Sequence, residues 1–362
     1  MSSWRRRAVV ASVCGLLLLA AAPPAARAQG CILIRENGPV FNPSDRPYAE
    51  EHSWQISLSF RGSTADEHYN GTVYQAQRQE LGTYVINRQR LLDLSVTYGV
   101  SSRFGLTLST AYVDSSWSIP SPTTPTPGPR YPQHGKGLGD TSLTGHYWLL
   151  DTRSTEHNVS VGLGVKAPTG NSAGTDYFPD ITGQNFATKA VDYSVQPGDG
   201  GWGILFDAQA FQRFGRLFAY GNFSYLANPR DTNGTPSVVV GLGLQNNPAL
   251  SDVLVNTVPD QYLGRLGVSI GLPAKGLSLS FGGRIEGQPR YDLFGESHGF
   301  KRPGKTIYVE PGLMWARGRT VVNVNIPVTV YRDREPNPYT DRPGDATFPT
   351  AVVLVGVGYR FK

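Results

Sequence analysis

The last stretch of the chain, Thr350–Phe361 (TAVVLVGVGYRF), constrains the fold more than any other. In an extended strand successive side chains point to opposite faces. Ala351, Val353, Val355, Val357, Tyr359 and Phe361 share one face, which is wholly apolar and ends in two aromatics. Val352, Leu354, Gly356, Gly358 and Arg360 share the other, which carries glycines and a charge. Such a strand suits a membrane barrel, in which one face meets lipid and the other a lumen.

The same alternation recurs upstream. Strands are predicted over His52–Arg61, Leu92–Val100, Phe104–Tyr112, Asp140–Leu150, Val159–Lys166 and Trp202–Arg213. Others follow over Leu217–Leu226, Gln261–Leu272, Leu277–Gly287, Thr306–Trp315 and Thr320–Tyr331. With the closing strand this makes about twelve, each near the roughly 9–11 residues that a tilted membrane strand requires. The connections alternate between tight turns of about two to six residues and polar excursions of about 18 to 33. The long ones are Gly62–Gln89, the Pro-rich Ser116–Lys136, Pro168–Gly200, Asn228–Asp260, Gln288–Lys305 and Arg332–Pro349. The Pro-rich stretch is excluded from a central strand because proline cannot donate to the ladder. Within Asn228–Asp260, Ser237–Leu244 (SVVVGLGL) is expected to add β-structure. A soluble sandwich has no reason to gather every long loop at one end. The expected fold is therefore all-β: a transmembrane antiparallel up-and-down barrel with short periplasmic turns, long extracellular loops and both termini on the short-turn side.

The N-terminus reads as an export signal over residues 1–28. Arg5, Arg6 and Arg7 precede the apolar run Ala8–Ala22, and Ala26-Arg27-Ala28 supplies a cleavage site. That run is too short for a spanning helix, and no later stretch reaches the roughly 18 apolar residues required. The full chain has 33 basic and 28 acidic side chains. Removing the signal takes away four arginines (Arg5, Arg6, Arg7, Arg27) and no acid, which leaves 29 against 28. The basic character thus belongs to the signal and gives no nucleic-acid surface. Residues 29–51, with Pro39, Pro43 and Pro47, form an irregular periplasmic segment, and the barrel occupies 52–362. Cys31 is the single mature cysteine, so no internal disulfide forms. Its neighbours Ala28-Gln29-Gly30 make a poor lipidation signal.

Placing the apolar phase outward puts a defined set of polar residues inside. It comprises Arg61, Asp93, Asp140, His146, Lys166, Asp207, Gln209, Arg265, Arg284, Glu286, Glu310, Asn323, Asn325 and Arg360. An Arg or Lys facing lipid would cost about 2–4 kcal/mol near the midplane, so these groups face water or one another. They would line a polar pathway for solutes or fill a narrow interior with charge pairs. Gly162, Gly164, Gly356 and Gly358 on the same face leave room or permit curvature.

Gly295-Glu296-Ser297-His298-Gly299 matches the G-x-S-x-G string of serine hydrolases, but no strand–turn–helix elbow surrounds it. The six histidines (His52, His68, His134, His146, His157, His298) show no paired metal spacing. Asp231-Thr232-Asn233-Gly234 and Asp199-Gly200-Gly201 lack the remaining ligands of a calcium loop and read as turns. No catalytic residue, metal or cofactor is assigned.

The closing strand is similar to the C-terminal strand of bacterial outer-membrane proteins, which usually ends in Phe, although here Lys362 follows Phe361. Gly137–Leu150 (GLGDTSLTGHYWLL) followed by Val161–Gly170 (VGLGVKAPTG) resembles the transporters grouped as "MetA-pathway of phenol degradation" proteins. The matching positions are Gly137, Gly139, Asp140, Pro168, Thr169 and Gly170. The resemblance implies an outer-membrane barrel with a role in uptake of hydrophobic or aromatic compounds. The expected function is passage of small solutes across the bacterial outer membrane. The expected partners are outer-membrane lipid, the solute and the barrel-assembly machinery acting on the closing strand. A closed structural or binding barrel and an outer-membrane hydrolase using Ser297 and His298 are the alternatives.

Overall fold

The computed structural model describes Tyr48 and residues 50–361, apart from 123–125, 153–155 and 341–343. The expected signal, Cys31 and nearly all of the irregular segment lie outside the described residues.

Twelve antiparallel strands close on themselves. They are β1 (Trp54–Asn70), β2 (Ile86–Gly99), β3 (Phe104–Ser118), β4 (Gln133–Trp148), β5 (His157–Ala167) and β6 (Gly203–Phe214). The second half comprises β7 (Leu217–Ala227), β8 (Gln261–Gly271), β9 (Leu277–Gln288), β10 (Gly304–Arg317), β11 and β12 (Asp345–Phe361). β11 runs in two parts, Thr320–Asn325 and Val328–Arg334. Each strand pairs with its sequence neighbour, and β12 returns to β1 from Trp54↔Phe361 to Asn70↔Asp345. No backbone edge is left at the closure, as lipid requires.

Burial shows which face meets what. Leu266 is 72% exposed and Phe281 59%, whereas their neighbours Arg265 and Ser280 are 4% and 6% exposed. Apolar side chains outside and polar ones inside invert a water-soluble protein, and a belt of this size is stable only against hydrocarbon. Among the described residues no helix is long and apolar enough to cross a membrane; the crossing is made by strands.

The strands run further into the expected loops than their outward apolar residues indicate. β1 extends to Asn70, β2 begins at Ile86, and β3 and β4 take in Ser116–Ser118 and Gln133–Lys136, all expected as loop. Beyond the lipid, outward positions carry Arg88, Arg90, Asp114 and Lys136, so the apolar half of the pattern is lost while the ladder continues. β11 was expected unbroken. Pro311 on β10 and Pro327 on β11 remove two ladder donors, and the strand is interrupted at residues 326–327. Its path is kept by Ile326 N–H donating to the Pro311 carbonyl at 3.0 Å and Val352 N–H donating to the Pro327 carbonyl at 2.9 Å. Ser237–Leu244 is not β-structure: Val238–Gly241 forms a helical turn whose Val239 N–H donates to Ser237 Oγ at 3.3 Å.

The short connections, which follow β2, β4, β6, β8 and β10, all lie at one end. At the other end the loops at 168–202, 228–260 and 289–303 pack together. Trp117, Phe178, Val191, Val195 and Val238 form their shared core.

Candidate functional site

The interior has three levels. At the short-turn end, Tyr48, Phe211, Phe218 and Tyr220 cluster with Trp148. Tyr48 meets Trp148 edge-on at 5.0 Å, and its hydroxyl accepts from Asn158 Nδ2 at 3.1 Å. The Tyr48 side chain therefore sits inside the barrel. Inward aromatics at this level carry no polar signal in the sequence.

Above this cluster lies a cavity of about 410 Å³. Its wall carries many hydroxyl and amide groups, including Ser57, Ser95, Thr107, Thr144, Ser160 and Asn222, beside apolar ones such as Phe104, Trp148 and Met314. Eight of the expected inward residues border it: Asp93, His146, Asp207, Gln209, Asn323, Asn325 and Arg360, with Arg265 at its upper edge. His146 Nε2 lies 3.4 Å from Asp207, and Arg360 Nε donates to Gln55 at 2.9 Å. Gly162 and Gly356 do not leave open space. A Cβ on Gly162 would lie 2.8 Å from the His146 ring, and one on Gly356 would lie 2.4 Å from Asn323 Oδ1. These glycines let neighbouring inward side chains lie across the wall.

Mid-barrel, three arginines and two glutamates close the lumen on one side. Arg61 on β1 makes a two-point contact with Glu286 on β9, at 2.9 and 2.8 Å, although three strands separate β1 from β9 around the wall. Arg284 Nε donates to Glu286 at 2.5 Å and its Nη1 stands 3.7 Å from Glu310. Arg265 pairs with Glu310. All five are at most 4% exposed. Fork-to-carboxylate geometry explains why arginine serves here: two parallel hydrogen bonds hold the crossing rigidly. Tyr308, Val352 and Leu354 pack together as a buried apolar group.

The upper level is filled by loop 168–202, which turns inward through the short helical turn Tyr193–Val195. Asn87 Nδ2 donates to Ser194 Oγ at 2.6 Å, Gln89 Nε2 to the Ser194 carbonyl at 2.7 Å, and Asp192 N–H to Gln133 Oε1 at 2.8 Å. Asp140 accepts from the Gly170 and Asp199 amides at 2.9 and 3.0 Å, and Lys166 pairs with Asp199. Asp140 and Lys166 thus border a second cavity, of about 100 Å³, with their charges held by the loop. Asn87, Gln89 and Gln133 were not expected, because they lie where the outward pattern gives no strand.

The loops are tied to one another by buried charge. Arg302 makes a two-point contact with Asp192 at 2.9 and 2.6 Å and lies 4.7 Å from the Phe300 ring centre. Lys301 donates to Asp292 at 2.6 Å; burial pulls its ammonium below the ordinary lysine range, with Asp292 opposing. Asp260, fully buried, accepts from the Asn228 and Leu293 amides at 2.6 and 2.7 Å, and burial raises its carboxyl above the ordinary range.

The hydrolase string lies in loop 289–303 with no helix after it. Ser297 Oγ accepts from the Asp292 amide at 2.7 Å, while His298 pairs with Glu296 at 2.8 Å and stacks on Tyr339. The serine and the histidine are thus held by different partners. Asp231 accepts from the Glu296 and Ser297 amides, and no cluster of metal-ligating side chains occurs among the described residues.

The COG4313 outer membrane channel from Pseudomonas putida F1 is similar in structure, with a TM-score of 0.57 over 89% of this chain and 100% of that one, at 11% identity. A looser likeness, with a TM-score of 0.44 at 8% identity, joins the chain to a Pseudomonas aeruginosa FadL homologue over 88% and 92% of the two chains. No family model and no curated relative matches the sequence. The architecture is that of a bacterial outer-membrane barrel.

Proposed function

We propose that this chain, matured by loss of residues 1–28, is an outer-membrane channel or transporter that passes small solutes and is held narrow at rest. The observation that carries this reading is a cavity of about 410 Å³, bordered by many hydroxyl, amide and charged groups, inside a lipid-facing wall and bounded above by a charge cluster and an inserted loop. The fourteen inward residues named from the sequence divide into three roles. Asp93, His146, Asp207, Gln209, Asn323, Asn325 and Arg360 line the lower pathway. Arg61, Arg265, Arg284, Glu286 and Glu310 form the mid-barrel constriction, and Asp140 and Lys166 hold the inserted loop. The smaller upper cavity, bordered by Leu205, Leu226, Leu263, Tyr193 and Tyr262, offers an apolar surface in keeping with a hydrophobic or aromatic solute. The closing strand β12 is the segment the barrel-assembly machinery would engage.

The buried pairs Lys301–Asp292 and Arg302–Asp192 favour a second reading, a permanently closed barrel whose loops bind a partner outside. Flux into proteoliposomes separates the two. Wild type should admit small sugars or phenol slowly, and the pair Asp192→Asn with Arg302→Gln should admit them faster. No flux through either protein, with insertion verified, would leave the closed barrel as the function.

A further inference from the structure

The outer wall carries cations where the strands leave the lipid. On β1 to β4 the outward apolar ladders end at Phe60, Leu92, Tyr112 and Leu138. The next outward row, read across the paired strands, is Gly62, Arg90, Asp114 and Lys136. The row beyond it is Thr64, Arg88, Ser116 and His134. Arg88 and Arg90 are exposed, and neither has a hydrogen-bond or salt-bridge partner among the described residues. Lys136 reaches Asp114 at 3.5 Å, and both are exposed. His134 is taken up by Asp176 at 3.0 Å.

The rest of the wall differs. Outward Lys305 on β10, by contrast, is paired with Asp333 and Glu335. Uncompensated positive charge therefore collects on β2 to β4, with one carboxylate among three cations. It is directed away from the lumen, so the solute pathway makes no use of it. An arginine costs little at the lipid boundary, falling to about 0–1 kcal/mol there, but an unpaired pair of forks on a rigid ladder has no structural role to fill. Guanidinium forks fit phosphate oxygens two at a time. Successive outward positions on a strand stand roughly 7 Å apart, so Arg88 and Arg90 can each engage a separate oxygen group of one headgroup.

We infer that Arg88, Arg90 and Lys136 form a binding site on the outer wall for the phosphorylated headgroup of an outer-leaflet lipid. This rests on the reading that the barrel spans the outer membrane with its long loops outside, and it does not require an open pore. The test is native mass spectrometry of the protein folded in dodecyl maltoside and titrated with diphosphoryl lipid A, or with the same lipid stripped of phosphate. Arg88→Gln with Arg90→Gln should weaken binding of the phosphorylated lipid about thirtyfold, roughly fivefold per arginine. It should leave the stripped lipid unchanged, and Arg88→Lys with Arg90→Lys should retain most of the binding. Arg317→Gln with Arg319→Gln, which removes the same charge at the short-turn end, should have no effect. Unheated gel mobility verifies that each variant is folded. Equal binding by wild type and the Arg88/Arg90 double variant would overturn the inference. So would an equal loss in the Arg317/Arg319 control, or displacement of the lipid by millimolar inorganic phosphate alone.

Discussion

Replacing Glu286 by Gln tests whether the mid-barrel crossing is a dry, interdependent unit. Glu286 is fully buried and accepts two hydrogen bonds from Arg61 and one from Arg284. In the intact cluster three arginines face two glutamates; Glu286→Gln leaves three facing one. Breaking a buried ion pair from one side costs about 3–5 kcal/mol, since the remaining charges lose compensation without regaining water. The amide oxygen still accepts one bond, so the lower end of that range, about 3 kcal/mol, is expected. Adding Arg61→Met removes the stranded cation and returns the excess to one arginine. The double variant should then be no less stable than Glu286→Gln alone, with a coupling near the upper end of the roughly 0.5–3 kcal/mol seen for contacting residues. Urea unfolding from lipid vesicles, followed by tryptophan fluorescence, reads all four corners of this cycle. Additivity within about 0.5 kcal/mol would refute the reasoning and mean that water separates Arg61 from Glu286.

Two further outcomes follow from the loops. A Cβ on Gly135 would lie 1.8 Å from the Val195 carbonyl oxygen, so Gly135→Ala should push the inserted turn out of the mouth. It should cost about 1–3 kcal/mol and increase cleavage within 191–199 on limited proteolysis, whereas an unchanged digest would place that turn elsewhere. The Asp180 carboxyl is held down to about 2 by hydrogen bonds from Thr182 and Asn185, below its ordinary value of 3.8. Because the folded value is depressed, its contribution is present above pH 3.8 and is lost as pH falls through about 2. Carboxyl NMR should show that titration, moving back towards the ordinary value in Asn185→Ala; a normal midpoint in the wild type would contradict it.

Most of the architecture was legible because lipid imposes a two-fold pattern that water does not. Leu92 and Leu94 had to face out and Asp93 in, and the uneven loop lengths set the ends. The pattern fades where lipid stops. Residues 62–70, 86–89 and 133–136 carry polar groups on both faces, so the sequence pattern gives loop there, and Asn87, Gln89 and Gln133 go unseen with them. Arg61 and Glu286 were each placed inward, yet their pairing was invisible because 225 positions separate them and only barrel closure sets their angular relation. The same inward phase concealed Phe211, Phe218 and Tyr220. An apolar residue on the lumen face gives no signal of its own, and the partner that buries them, Tyr48, comes from a segment without periodicity.

Single-channel conductance of the refolded mature chain in a planar lipid bilayer addresses the central claim most directly. Wild type should give small, discrete and repeatable steps, as expected for a lumen cavity closed down by the Arg61–Glu286 crossing. Arg61→Ala should give larger ones. Silence from both proteins, each shown to be folded and inserted, would contradict a solute pathway through this barrel.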